Sequence, residues 1–370
     1  MRIKSLSFRG IDYPLLLTVA GLVVIGLVMV YSASFGLDMA ELGKPTTYFL
    51  VRQVQWVALG TVALVAMALI NYESWQQWAV PIMAAALLTL AALLFMRGGD
   101  ENAQRWVMGN SVQPSEIVKL AVVIYIAAWL ASKGEKIRQL TYGMVPFAIL
   151  LGLVTGLIVL QPNFSTALLI VVTAVAMLFV AGADITQLLI GGVVGGVSLG
   201  VLVRTSEYRW NRVVTFVTNP LRDPLGRGYQ TVRAIFALQT GGPTGVGLGG
   251  SVQKMGYLYA PHTDAIFAVI GEELGLVGSL FMIALYGMLA YRGLRIARRC
   301  RNPFGGLLAT GLTSWLTFQA AVHIAVITAT VPFTGITLPF VSFGGSSLVA
   351  CMAAVGVLLS ISRSAGRRAQ

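Results

Sequence analysis

The stretch PHTDAIFAVIGEELG, residues 261–275, holds Asp264, Glu272 and Glu273, three of only 14 acidic residues in a chain of 370. A carboxylate serves as a general base when substrate can reach it and its surroundings tune its proton affinity. Asp264 precedes the apolar run that follows instead of interrupting it, so it stands where a polar substrate would meet an apolar wall. It is the candidate proton acceptor, with a helix N-cap as the plain structural alternative. Glu272 and Glu273 lie deeper in the run and read as structural acids paired inside a bundle. Between Arg204 and Pro261 the chain carries Arg204, Arg209, Arg212, Arg222, Arg227, Arg233 and Lys254 against Glu207 and Asp223 alone. That excess suits an anionic ligand, and arginines reaching lipid headgroups are the alternative. Upstream, Glu116 and Lys119 stand three apart, which puts them on one helix face as an ion pair. SVQPSEIVK also supplies the start signal of a helix, so Glu116 could equally be a residue favoured by the helix dipole. Arg52 adds a cation near the start of an apolar run.

The elements that position these groups are membrane helices. The chain is 56% hydrophobic and 11% charged, with a mean hydropathy of +0.79, too little charge for a water-exposed surface of this size. Apolar runs of about 20 residues, enough for a bilayer core of about 30 Å, recur from end to end. Ten are predicted: 13–33, 48–70, 78–96, 116–131, 144–160, 164–181, 185–203, 265–290, 305–328 and 340–361. The expected fold is all-α, a single polytopic domain over 1–370 with one large extracytoplasmic loop, 204–264, between the seventh and eighth spans. The first span is too long for a signal peptide and lacks a small-residue cleavage site, so it reads as an uncleaved anchor. LQPNFST predicts a hairpin turn between the fifth and sixth spans. YRWNRVVTF and GYQTVRAIFALQ read as short amphipathic helices at the interface, with Trp210 and Tyr229 as anchors. Pro339, Gly344 and Gly345 break the start of the last span, which opens a groove for a lipid tail or only kinks the helix.

Lys and Arg counted over short loops set the orientation. Arg2, Lys4 and Arg9, then Lys133, Lys136 and Arg138, then Arg292 to Arg301, then Arg363, Arg367 and Arg368 all fall on one side. Both termini are therefore expected in the cytoplasm. The formal net charge of +12 and the run RGLRIARRCR reflect topology and anionic lipid, not nucleic acid. Cys300 and Cys351 cannot form a secreted disulfide framework. GGPTGVGLGG follows no strand, so it reads as a flexible turn and not a phosphate cradle. With no P-loop, no nucleophile elbow and only His262 and His323, the sequence argues against ATP hydrolysis and a His-rich metal site. His323, alone in the ninth span, reads as an interhelical donor.

ENAQRWV, QPSEIVK, YRWNRVVTFVTNPLRDPLGRGYQ, GVGLGGSVQKMGYLYAPHTDAIFAVIGEELGLVG and TLPFVSFGGSS together resemble the SEDS proteins of bacterial cell-wall synthesis, over nearly all the spans and closest to the cell-division branch. The resemblance implies a peptidoglycan glycosyltransferase of the bacterial cytoplasmic membrane that polymerises lipid II into strands carried on undecaprenyl pyrophosphate. It places the catalytic carboxylate of its HTD motif at Asp264, beside His262 and Thr263. It also places cavity residues at Arg105, Trp106, Glu116 and Lys119, and a basic position at Arg52. Arg52, Lys119, Arg209, Arg212 and Lys254 then become candidate partners of the leaving diphosphate, as does a divalent cation, Mg or Mn. The implied partners are a class B penicillin-binding transpeptidase and other divisome membrane proteins. Two positions depart from the pattern. Asn163 stands where an acid is usual, and YLYAPHTD has Tyr259 in place of a proline and no acid before His262. A transporter of lipid-linked precursors and a scaffold for a partner are the rival classes. A transporter needs charge along a path through both leaflets, and a scaffold needs neither Asp264 nor Lys119.

Overall fold

The computed structural model describes residues 10–35, 45–96, 112–220, 223, 224, 226 and 228–367. The expected positions Arg105 and Trp106 lie outside these residues, as do Arg2, Lys4, Arg9, Arg222, Arg227 and Arg368. Regular structure among the described residues is helical: α1 Tyr13–Ser34, α2 Tyr48–Leu69, α3 Glu73–Met96, α4 Pro114–Lys133, α5 Val145–Leu160, α6 Phe164–Val180, α7 Ile185–Arg204, α8 Glu207–Val217, α9 Tyr229–Gly241, α10 Ile266–Arg299, α11 Pro303–Ile327 and α12 Gly345–Arg367. Nine of these are long and apolar enough to cross a membrane, and α6, apolar throughout, has 17 residues. Each of the ten apolar runs is thus a helix. α8 and α9 are the two short amphipathic helices expected between the seventh and eighth spans.

Chemistry sets the ends. Asp12 caps α1 by accepting from Leu15 N at 3.0 Å, and Pro14 sits in the first turn, where its missing N–H costs nothing. Pro162 and Asn163 make the turn between α5 and α6, with Asn163 accepting from Thr166 N. The core lies where α2 packs along α12 and where α10 meets α1 and α11. α7 stands at the edge and buries Gln187 alone, whose amide donates to Arg138 O at 2.6 Å. At one end of the bundle, Ser362 Oγ donates to Gly10 O at 2.9 Å and Arg363 to Leu69 O at 3.3 Å. The beginning and the end of the described chain therefore meet on one face.

Two irregular stretches depart from the expected helices, and both are buried. The last span was expected from Phe340, but α12 begins at Gly345. Leu338, Phe340, Val341 and Ser342 are buried without helical structure, and Phe340 takes a φ of 68°. Such backbone is tolerated within an apolar bundle only where protein covers its polar groups. Here α1 crosses it so closely that a Cβ on Gly26 would meet Phe340 O at 2.6 Å.

The second is a break inside α10. Gly275, at φ 66° and ψ −163°, interrupts the helix. That leaves carbonyls of the preceding turn and amides of the following turn without helical partners. The glycine-rich stretch 241–250 supplies them. Val246 N donates to Glu272 O at 3.0 Å and Gly247 N to Glu273 O at 3.1 Å. Leu276 N donates to Gly242 O at 2.9 Å and Val277 N to Pro243 O at 3.1 Å. The stretch read as a flexible turn is therefore a patch clamped into a broken helix, and the N–H groups of Gly242, Gly245, Val246, Gly247 and Gly250 are committed to carbonyls. A Cβ on Gly275 would collide with the backbone of Pro243, Thr244 and Gly245. Gly275→Ala is expected to cost at least about 2 kcal/mol, from strained backbone plus lost patch bonds. Thermal unfolding of the purified protein in detergent checks this, and an unchanged midpoint would count against the patch.

Candidate functional site

Asp264 sits just ahead of α10. The cap position of that helix is Ala265, and no side chain caps it, so the N-cap alternative for Asp264 does not hold. Its place comes from backbone. Asp264 N donates to Ala260 O at 3.1 Å, where Ala260 has a φ of 49° that tightens the turn. The HTD residues are pinned to the irregular 338–343 segment. Ser342 Oγ donates to Thr263 O at 2.7 Å and Phe343 N to His262 O at 2.9 Å. Ser342 Oγ also accepts from Leu338 N at 2.8 Å, and Gln53 of α2 donates to Ser342 O at 3.3 Å. His262 packs its ring on Phe49, with centroids 4.5 Å apart, and on Phe343 at 5.7 Å. Burial pushes its imidazole down to about 4, so His262 is neutral and serves as an apolar wall.

The Asp264 carboxylate is left for other work. It is half-buried, and among the described residues none donates a hydrogen bond to it. Burial pushes it up to about 6, against the opposing pull of the Arg212 guanidinium. Arg212, from α8, is tied to Phe333 O at 3.0 Å and lies over the Phe333 ring. Gly335, two residues on, faces the carboxylate: a Cβ there would stand 3.0 Å from Oδ2. The loop 331–337 thus brings a cation and an open glycine to Asp264. Gly335 carries no chemical signal in the sequence, and Ser342 lies in the TLPFVSFGGSS motif with no role assigned to it; only the fold brings the two to the Asp264 turn.

Glu116 and Lys119 form the ion pair predicted from their spacing, at 2.8 Å, both buried in α4. Lys119 Nζ also donates to Gln319 Oε1 at 2.9 Å and lies 5.1 Å from the Trp315 ring centroid. Gln319 Nε2 donates to Thr337 O at 2.9 Å, and Thr337 Oγ1 is 3.1 Å from Ser347 Oγ. A buried polar chain therefore runs from α4 through α11 to the segment that cradles Asp264. His323, expected to bond between helices, instead places Nδ1 2.7 Å from Ile336 O of that same segment.

Lys254 is drawn the other way. It is 1% exposed, and its ammonium bonds Glu273 at 2.6 Å and Ser32 of α1 at 3.0 Å. Glu272 accepts from Ser251 Oγ and from the backbone N–H of Val252 at 3.0 Å. The two acids of GEELG thus hold the loop that follows the patch, and Lys254 is committed to a buried clip. Arg52 lies one turn from Phe49 and donates to Tyr48 Oη at 3.0 Å. Arg209 donates to Leu202 O at 2.9 Å and lies over Phe164. The charge facing Asp264 is a guanidinium, and among the described residues no group of three or more His, Cys, Asp and Glu comes together.

The sequence of this arrangement matches a protein family described as "Cell cycle protein", that of FtsW, RodA and SpoVE, over residues 13–367. The chain belongs to the FtsW/RodA/SpoVE family. Similar relatives include the probable peptidoglycan glycosyltransferase FtsW of Trichlorobacter lovleyi, 39% identical over 97% of this chain and 95% of that one. Stage V sporulation protein E of Bacillus subtilis is 37% identical over 95% of this chain and 97% of that one. Among solved structures, one described as "Structural coordination of polymerization and crosslinking by a peptidoglycan synthase complex" superposes with a TM-score of 0.80 at 28% identity, covering 96% of this chain and 98% of that one. Thermus thermophilus RodA superposes with a TM-score of 0.70 at 28% identity, covering 96% and 97%. The broken helices and buried polar chain described above are thus those of a FtsW/RodA/SpoVE member.

Proposed function

We propose that this FtsW/RodA/SpoVE member is a peptidoglycan glycosyltransferase that polymerises lipid II at the outer face of the bacterial cytoplasmic membrane, for septal wall synthesis. The observation that carries the reading is the Asp264 carboxylate: half-buried, without a hydrogen bond from the described residues, and facing Arg212. Asp264 takes the proton from the sugar 4-hydroxyl of the acceptor. The freed oxygen attacks C1 of the growing strand, the C1–O bond breaks, and undecaprenyl pyrophosphate leaves with the electron pair. One base and no protein nucleophile means a single displacement with inversion. Arg212 stands where it can meet the developing diphosphate charge, and Arg52 and Arg209 extend the cationic surface. Glu116, Lys119 and Gln319 hold the cradle's shape, and His262 and Thr263 wall it.

The loop 204–264 then lies outside the cell and both termini inside, within one domain. A transporter would need charge along its path. Between Gly275 and Arg292, however, the residues α10 buries are Ser279, Met282, Tyr286 and Leu289, none of them acidic or basic. The likeness to a structure described as a peptidoglycan synthase complex supports a class B penicillin-binding partner for this chain, with other divisome membrane proteins as further partners.

Lipid II incubated with the purified protein and a class B partner should yield a ladder of glycan strands on a gel, and failure to elongate lipid II would overturn the reading. The same assay reports the pH dependence. The base acts in its ionised form, and Asp264 ionises near 6. Below that pH the rate should fall about tenfold per unit, and above it should level off. A profile still rising through pH 8 would exclude Asp264 as the base.

A further inference from the structure

At the end of α10 opposite Asp264 lies a cleft of about 640 Å³, a size that takes a small ligand or headgroup. Its walls come from five parts of the chain: residues 10–14, Tyr72, the last turns of α10, the connection 300–302 that leads into α11, and the end of α12. Three arginines line it, Arg292, Arg299 and Arg301. Arg292 is neutralised, its Nε 2.9 Å and Nη2 2.6 Å from the two oxygens of Asp12. Asp12 also caps α1, so this pair fixes one wall. Ser362 spends its hydroxyl on Gly10 O, and Asn302 spends Oδ1 on Phe304 N. Arg299 and Arg301 are different. Both are exposed, and among the described residues neither has a carboxylate partner. Two guanidinium forks without a carboxylate partner among the described residues share one concavity with Asn302, the cap residue of α11, at the helix end whose dipole favours an anion.

We propose that this cleft binds a phosphate-bearing anion, held by Arg299 and Arg301. Guanidinium geometry matches phosphate oxygens in pairs, and among the described residues that line the cleft the one carboxylate, Asp12, is occupied by Arg292. The phosphate can come from the headgroup of an anionic phospholipid in the adjoining leaflet or from solution. Because the cleft joins both ends of the described chain to α10, an occupant ties together elements that otherwise meet through few bonds.

The test uses the full-length protein and does not read polymerisation, so it stands apart from the proposed activity. Native mass spectrometry is run with phosphatidylglycerol, with phosphatidylcholine and with inorganic phosphate. One phosphatidylglycerol should be retained in preference to phosphatidylcholine. Arg299→Gln/Arg301→Gln should weaken retention by about tenfold or more, the scale of lost charge-assisted hydrogen bonds. Arg295→Gln/Arg298→Gln removes the same charge from the same helix end outside the cleft and should stay within about twofold. Displacement by millimolar phosphate would assign the cleft to soluble phosphate as well, and retention in its presence would assign it to the lipid. Equal loss in both double variants, or no preferential retention of either anion by the wild type, overturns the proposal.

Discussion

Asp264→Asn is expected to lower lipid II polymerisation by about 10²- to 10⁴-fold, the usual contribution of a positioned general base. Asparagine keeps the shape and cannot accept the proton. The same substitution should make the protein more stable at neutral pH. Asp264 is raised from 3.8 to about 6, so the folded state binds its proton more tightly than the unfolded state does. The sign is then fixed: stability falls as pH rises from 4 to 6, and the full penalty is present at pH 7. Two units correspond to at most about 3 kcal/mol, a figure that already includes the opposing attraction to Arg212. Thermal unfolding of both proteins should show the variant melting higher at pH 7, with the gap closing near pH 4. A variant that polymerises at the wild-type rate would remove Asp264 from the mechanism, whatever its stability.

Lys254→Met should be the most destabilising single substitution near the site. It leaves Glu273, 1% exposed, as an unpaired buried charge, and removing one partner of a buried pair typically costs about 3–5 kcal/mol. Ser32 loses a donor in the same step. The double variant Lys254→Met/Glu273→Met removes both charges and should recover most of the lost stability, since apolar replacement of a whole buried pair is often neutral. The cycle also separates two roles for Lys254. As a clip, its loss is repaired by the second change in both thermal unfolding and polymerisation. As a group touching the diphosphate, it would leave the double variant stable but still slow, with a raised KM for lipid II.

The ten apolar helices were legible because hydrocarbon imposes length and composition on every span. The Glu116–Lys119 pair was legible because a helix fixes which residues share a face. Asp264 stood out because a charge before an apolar run is rare in this chain. Its cradle did not, because Gly335 and Ser342 come from a segment remote in sequence whose irregular path follows no period. GEELGLVG reads as continuous helix, and a glycine within a helical pattern gives no sign that it sits at φ 66°. Lys254 was read as a cation available to an anionic ligand because it belongs to the basic excess of 204–261. Its true surroundings depend on α1 and α10 closing over it.

The patch on α10 bears on how the protein is made. The turn containing Glu272 and Glu273 is completed by peptide groups of Val246 and Gly247, not by the residues that follow in the helix. Insertion of the hydrophobic span Leu276–Arg299 during synthesis therefore cannot by itself assemble the segment bearing Asp264. Maturation of this end of the bundle waits until the preceding connection has folded back, so a half-made or misdocked product carries an intact membrane anchor without the proposed base in place.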